Sequence, residues 1–465
     1  MNSFYFMLVL HAHMPYVMGT SVEYWLHEAV LHSYLPLLEM LERCLREELS
    51  VCITLNMSPI LLNQLTHSDF VENFLEYLQQ REQNLSIQAL NPEVSEILQN
   101  DLQKLCRLKT LFLNEWNRDI VGQFKKFVDL GYINVTTSSA THAYLPLWEA
   151  DIESVYRQIA VGKVMSSFYF GDLNGFWSPE CGVFPDLTSI LKEFEFSYFF
   201  ADPAAVNTEH IFQPFTDRGV YYFVRDIDIS MKIWDSDEGY PGHPLYRDFH
   251  SDFFTDPESC GRITERAGFS IRAVTNKNSN RKDIYCPVAA HKQAELDAQD
   301  FCSYLACKFK KLSGNCCSIF FDAELFGHWW YEGVDFLYYL CRALSRQNVI
   351  KLTFPLEILQ KVDSVKFSPM YSSWGLNHDA GSWLNAKTYF LWEKIYNTSP
   401  ETCSMRNLLL AQASDWMFLI THNSFIEFSK NRISRLLSYN NDADQENDLL
   451  QQSISVCSRE DFFAI

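Results

Sequence analysis

The amino-acid sequence predicts an α/β fold built on a mostly parallel sheet. Apolar runs of strand length alternate with amphipathic stretches of helix length, and histidines and acids fall just beyond the apolar runs. At 465 residues the chain exceeds a usual single core of roughly 100–200 residues, so one large domain with insertions, or an appended second domain, is expected.

The elements follow in order. Residues 4–10 read as a first buried strand and 24–44 as a helix. Strands are expected at 51–55, 133–137, Gly175–Trp177, 196–199 and 318–321, with helices at 70–80, 97–130 and 187–194. Residues 203–280 are polar and rich in Asp, Gly and Pro, and read as an insertion over the cleft. After about Val365 the pattern turns helical, at 384–396, 405–421 and 424–437, and residues 440–447 form an acidic, polar loop or frayed end. The expected division is 1–190 with 283–364 for the catalytic unit, 191–282 for an inserted subdomain with a lid loop, and 365–465 for a helical C-terminal domain.

Composition narrows the function classes. Apolar residues at 47% and aromatics at 15% exclude disorder. A net charge of −20 opposes nucleic acid and anionic membranes as partners but leaves a neutral substrate unaffected. Thirteen cysteines without a C-x-x-C pair read as reduced, cytoplasmic thiols. No basic residue precedes the first apolar run, which His11-Ala12-His13 interrupts, so it reads as a strand and not a signal peptide. No window of about 18 apolar residues is long enough for a membrane span. Oligomeric state is not legible.

In such folds the residues past the carboxyl ends of strands face one cleft, and His11, His13, Asn56, His142, Glu180 and Asp322 all occupy such positions. Pro179 fixes the chain direction ahead of Glu180, although this carboxylate could equally cap the helix that begins near Asp186. After Asp322 come Glu324, His328, Trp329 and Trp330; indoles beside carboxylates suit pyranose rings, which stack on aromatic faces while their hydroxyls meet polar groups. Two carboxylates from different strands meet the needs of glycoside cleavage, one attacking the anomeric carbon and one protonating the leaving oxygen.

His11 and His13 share one side of an extended chain and could ligate a metal or bind sugar hydroxyls. The absence of H-x-x-x-H and H-E-x-x-H favours hydroxyls. Trp374 and Trp383 flank the polar loop 375–382, where they line a glucan groove or pack between domains. Tyr240, between Gly239 and Pro241-Gly242, reads as the tip of a lid loop or as a surface turn. The chain has no G-x-G-x-x-G, Walker lysine loop or G-x-S-x-G elbow, so nucleotide binding and serine catalysis lack support.

These segments together resemble glycoside hydrolase family 57 and, within it, the α-1,4-glucan branching subgroup. The resemblance rests on Leu10-His11-Ala12-His13-Met14-Pro15-Tyr16, Trp25-Leu26-His27-Glu28-Ala29, Thr141-His142-Ala143-Tyr144-Leu145-Pro146-Leu147, Trp177-Ser178-Pro179-Glu180-Cys181 and the run from Asp322 to Trp330. Ser373-Trp374-Gly375, Trp383-Leu384-Asn385 and Ser414-Asp415-Trp416 extend it, from about residue 8 to 420.

The resemblance implies a distorted (β/α)7 barrel with no metal or organic cofactor, acting on α-glucan such as amylose or glycogen. It implies Glu180 as nucleophile and Asp322 as general acid/base, about 5–5.5 Å apart as in retaining enzymes. It also implies substrate contacts from His11, His13, Trp25, His142, His328, Trp329, Trp374 and Trp383, with Tyr240 as a lid tyrosine favouring transfer over hydrolysis. Where the subgroup carries an aromatic and an arginine, this chain reads Ser270-Ile271-Arg272-Ala273-Val274-Thr275, so one stacking platform is missing. The alternatives are an α-amylase or 4-α-glucanotransferase, a metal-dependent hydrolase built on His11 and His13, and a non-catalytic glucan-binding protein.

Overall fold

A computed structural model describes residues 4–87, 91–256, 267–276, 281–310, 315–399, 402–438 and 448–459. Its centre is the strand β1, Phe4–Ala12, flanked in parallel by β2, Ile53–Met57, and by Cys316–Asp322, the eighth strand in chain order. Between these two in sequence lie β3 (Ile133–Ser138), β4 (Gly175–Trp177), β5 (Tyr198–Ala201), β6 (Phe215–Asp217) and β7 (Val220–Val224), so Cys316–Asp322 is β8. Two short strands follow, β9 (Ile350–Leu352) and β10 (Val365–Lys366).

The sheet runs β10-β6-β7-β5-β4-β3-β2-β1-β8, with β9 also on β1, and every pairing is parallel except β6 with β7. The path β8-β1-β2-β3-β4-β5-β7 holds seven parallel strands. A bridge between Arg225 and Ser318 brings its two ends together, with Asp226 N donating to Ser318 O at 2.8 Å and Ser318 Oγ to Val224 O at 2.7 Å. Strand lengths from three to nine residues make the ring irregular.

Period-two alternation decides what faces inward. Met7 and Val9 join Trp177, Tyr198, Phe200, Phe223 and Phe320 in one buried cluster, while Leu8 and Leu10 pack outward in the core shared with the helices. Continuing the inward series past Val9 gives His11 and then His13. On β8 the series Cys316, Ser318, Phe320 ends at Asp322, whose Cα pairs with that of His11. The inner core thus forms the floor beneath the polar end of the barrel.

Several elements differ from expectation. β7 lies inside the stretch read as an insertion, where Asp-, Gly- and Pro-rich flanks mask the short run Val220–Val224. The expected 191–282 subdomain therefore contains three strands of the sheet, β5, β6 and β7. The single helix expected over 97–130 is broken: Asn117 and Arg118 adopt positive φ, and Asp119 starts a new helix, Ile120–Asp129, by accepting from Gly122 N at 2.7 Å. The run 405–421 splits into Met405–Ala411 and Ser414–Thr421, because Ala413 leaves the helix to bridge with Ala143 while Ser414 N bonds His142 O at 3.0 Å. The acidic stretch 440–447 lies outside the described residues.

Candidate active site

A groove of about 1670 Å³ crosses the polar end of the barrel, and His11, His13, His142, Glu180 and Asp322 all line it. Glu180 follows β4 in the left-handed region at φ 62, a conformation that costs a non-glycine residue roughly 1–3 kcal/mol. Trp374 holds it from two sides: its backbone N–H donates to Glu180 O at 2.9 Å, and its indole Nε1–H donates to Glu180 Oε2 at 2.8 Å. Ser414 Oγ lies 3.0 Å from the other oxygen, Oε1. The role of helix cap is not the one observed, since no side-chain cap bond forms at the helix Leu187–Glu193.

Asp322 has a different environment. Among the described residues no donor is recorded for its carboxylate. Burial, then the negative charges of Glu324 and Glu180, push its pKa well above the usual carboxylate range. Burial also raises Glu180, to about 7, but its bonds from Trp374 and Ser414 oppose that rise by favouring the anion. Two nearby carboxylates with unequal donor supply hold a proton unequally: the bonds to Glu180 favour its anion, and burial without a recorded donor favours the protonated form of Asp322.

The histidines form a connected system. His11 stacks on Trp177 with ring centroids 4.7 Å apart. Its Nδ1 lies 2.7 Å from Asn56 Oδ1, and Asn56 Nδ2 donates to the carbonyls of Thr136 and Thr137, so Oδ1 must accept and His11 Nδ1 must donate. Burial, then the neighbouring His13, lowers the pKa of both His11 and His142 in that order of effect, keeping both rings neutral. His11 Nε2 is then an acceptor, and His142 Nε2, 3.0 Å away, is its donor. That leaves His142 Nδ1 as an acceptor, 3.0 Å from Ser414 Oγ. The Ser414 hydroxyl has one proton and two claimants, His142 Nδ1 and Glu180 Oε1. It turns to Glu180 when that carboxylate is charged.

His13 is tied differently, with Nδ1 2.8 Å from Ser58 Oγ and Nε2 3.1 Å from both oxygens of Asp415. Burial, the largest single influence, would lower its pKa, but the charge and hydrogen bond of Asp415 together with the charges of Glu324 and Glu180 make the net shift upward. Glu324 accepts from His13 N at 3.1 Å and from the Tyr34 hydroxyl, and burial raises it to about 7. Among the described residues, one group has metal-like spacing: ligand atoms of His13, His142 and Asp415 lie within 4.8 Å of one another. This trio keeps His13 from the pair expected from the sequence and has His142 and Asp415 in place of His11. In the arrangement seen, both ring nitrogens of His13 and of His142 already face hydrogen-bond partners.

The sequence-predicted sugar contacts divide into two groups. Trp25, His328, Trp329 and Trp374 line the groove; Trp25 meets Phe425 edge-on at 4.6 Å, and Trp329, 39% exposed, meets Trp234 edge-on at 6.0 Å. Trp383 touches the groove but is buried, stacked on Tyr144 at 4.4 Å, so it supports the wall and does not offer an open face. Tyr240 is the clear departure. Its neighbours Pro241 and Gly242 line the groove, but its phenol donates to Asp300 at 2.7 Å and its ring packs on Phe301 and Phe336. The apolar surface offered by Phe301 and Phe336, on the helices Pro287–Phe309 and Gly333–Ser345, takes this ring instead of the groove. In the 270–275 stretch, Arg272 is bound to Asp256 at 2.6 Å and only Val274 reaches the groove.

In the sequence Ser414-Asp415 stands only as part of a matching segment, with no role for either residue. The observed contacts, to Glu180 and His13, span 234 and 402 residues in the chain, and no local pattern encodes them. Trp234, also in the groove, carried a weaker signal as an indole in a polar stretch.

Fold and site together define a class: an α/β-barrel enzyme of the glycosidase type, with an unequal carboxylate pair in an aromatic-rimmed groove. The chain belongs to glycosyl hydrolase family 57, whose description matches residues 7–371. Residues 401–454 match the region described as the C-terminal part of 1,4-alpha-glucan branching enzyme. A 1,4-alpha-glucan branching enzyme from Thermococcus kodakarensis is 29% identical, covering 92% of this chain and 71% of its own. The crystal structure of a branching enzyme of the same family from Pyrococcus horikoshii superposes with a TM-score of 0.85 at 26% identity, over 93% of this chain and 88% of that one. The alpha-amylase AmyC from Thermotoga maritima gives 0.82, also at 26% identity, over 100% and 96%.

Proposed function

We propose that this protein is an α-1,4-glucan branching enzyme, cutting an α-1,4-glucan and rejoining the segment through an α-1,6 link. The observation that carries the reading over a plain amylase is where the branching-type C-terminal segment lies: it supplies Ser414 to Glu180 and Asp415 to His13. The region that matches branching enzymes is thereby part of the site itself.

The chemistry is a double displacement. Protonated Asp322 gives its proton to the glycosidic oxygen as the Glu180 carboxylate attacks the anomeric carbon, forming a covalent glucosyl ester and releasing the remainder of the chain. Asp322, now ionised, takes the proton from the 6-hydroxyl of an acceptor glucose. That oxygen displaces Glu180, and two inversions give net retention. Water in place of the acceptor gives hydrolysis. Neutral His11 and His142 suit hydroxyl binding beside Glu180, and Trp25, Trp329 and Trp374 suit stacking along the groove. Substrates are neutral glucans, in keeping with the chain's negative charge. No disulfide joins the twelve described cysteines, which supports a reducing, cytoplasmic setting. No described helix is long and apolar enough to cross a membrane.

Incubation with amylose, followed by joint measurement of isoamylase-sensitive links and reducing ends, tests the reading. New branches with few reducing ends, abolished in Glu180→Gln, are expected; reducing ends without branches would make the protein an amylase.

A further inference from the structure

Beside the groove lies a second, smaller cavity of about 90 Å³ that shares six lining residues with it: Glu28, Arg247, Asp248, Phe249, His328 and Trp329. The two spaces therefore adjoin, with these residues shared between their walls. By this measure a water molecule needs roughly 10–15 Å³, so the cavity has room for about six to nine waters, close to what one hexose unit displaces.

Its walls alternate aromatic faces with charged groups. Trp329, Phe249, Phe269 and Tyr331 supply the rings. Four carboxylates, from Glu28, Asp101, Asp248 and Asp252, stand against three cations, Arg81, Lys104 and Arg247. With no excess of positive charge, the cavity does not suit an anion. Most of these charges are already engaged: Arg247 grips Asp101 with bonds of 3.0 and 2.5 Å, Lys282 lies 2.9 Å from Asp248, and Asp252 accepts from the backbone of Ala267 and Gly268.

Lys104 is the exception. Its ammonium lies 4.2 Å from the centroid of the Tyr331 ring, and among the described residues no hydrogen bond or ion pair holds it. Lys104 lines the cavity, and its ammonium carries three N–H donors. Hydroxyl oxygens of a pyranose would accept from them while the ring lies against an aromatic wall.

Position assigns this space to one half of the reaction. Its wall is built by the loop that continues from Asp322, through Gly327, His328, Trp329 and Tyr331, and by none of Glu180, Trp374, Trp383, Ser414 or Asp415. In a double displacement the donor sugar sits over the nucleophile, and the leaving chain and the acceptor sit on the side of the acid/base. We infer that this cavity is a sugar subsite for the acceptor glucan, holding one glucosyl unit with Lys104 as its hydroxyl-binding residue. The assignment rests on the transferase reading of the groove.

Lys104→Met keeps the side-chain length and removes the donors. Release of the aglycone from an activated α-glucoside without acceptor is expected to change less than twofold, because Glu180 and Asp322 are untouched. The maltooligosaccharide concentration giving half-maximal transfer is expected to rise roughly tenfold, the scale of one hydrogen bond to a charged group. An unchanged acceptor curve in a folded variant would overturn the assignment. Independently of the variant, crystals of the full chain soaked in maltooligosaccharide should show a glucosyl unit against Trp329 and Lys104; a sugar-filled groove beside an empty cavity would refute it. A wild type that releases reducing ends without branches would refute the branching reading, while the soak would still test the pocket.

Discussion

Replacing Trp374 with phenylalanine tests how the site divides its proton. The substitution keeps an aromatic ring against Trp177 and His11 but removes the Nε1–H that donates to Glu180 Oε2 at 2.8 Å. A hydrogen bond to a charged group contributes roughly 1.5–3 kcal/mol, and one pKa unit corresponds to about 1.4 kcal/mol. Ser414 remains as a second donor, so the lower end applies and the Glu180 pKa should rise by about one unit. The sign is fixed, because losing a donor to the carboxylate disfavours the charged form. Since attack requires ionised Glu180, the acid limb of the pH–rate profile is set near its value of about 7 and should move upward by about the same unit. The assay is the initial rate of aglycone release from an activated α-glucoside over a pH series, with folding checked by circular dichroism. An acid limb that stays where it is in wild type would show that the indole does not govern Glu180 ionisation.

Two other outcomes are expected. Asp415→Asn should lower the His13 pKa, since Asp415 is the strongest of the three carboxylates that raise it, ahead of Glu324 and Glu180. A raised folded-state pKa stabilises fully below the unfolded value near 6.5, and that contribution is lost as pH rises through the folded pKa. The melting-temperature deficit of the variant should thus be largest on the acidic side and narrow with rising pH; a deficit independent of pH would mean His13 is not charged. Dialysis against a chelator should leave glucan turnover intact. Activity lost on chelation and restored by a divalent cation would move the reading to a metal bound by His13, His142 and Asp415.

What the sequence made legible is what local chemistry encodes. The alternation from Met7 through Val9 to His11 and His13 is written in consecutive residues, and the same rule on β8 leads to Asp322. Glu180 was readable as a carboxylate beyond a strand, but the left-handed backbone that aims it was not, because the forces holding it come from Trp374, 194 residues away. Tyr240 is the converse case. A glycine-flanked tyrosine in a polar loop suggested an open tip, whereas partners distant in sequence, Asp300, Phe301 and Phe336, fix its position.

Contacts distant in sequence also tie the helical C-terminal segment to the barrel. His142 holds a positive φ that a side chain adopts only when its surroundings enforce it. Here those surroundings are the C-terminal segment: Ala413 bridges Ala143, Ser414 N bonds His142 O at 3.0 Å, and Thr141 Oγ1 donates to Leu409 O at 2.5 Å. The kink at Gln412–Ala413 that breaks one long helix into two is therefore the feature that delivers Ser414 to both His142 and Glu180. A continuous helix through this point would retain its own backbone bonds, yet it would leave His142 unsupported and the Glu180 carboxylate with one donor fewer. The interruption of local structure at 412–413 is thus understandable only from the site, where a single serine proton links the neutral histidine pair to the charged carboxylate.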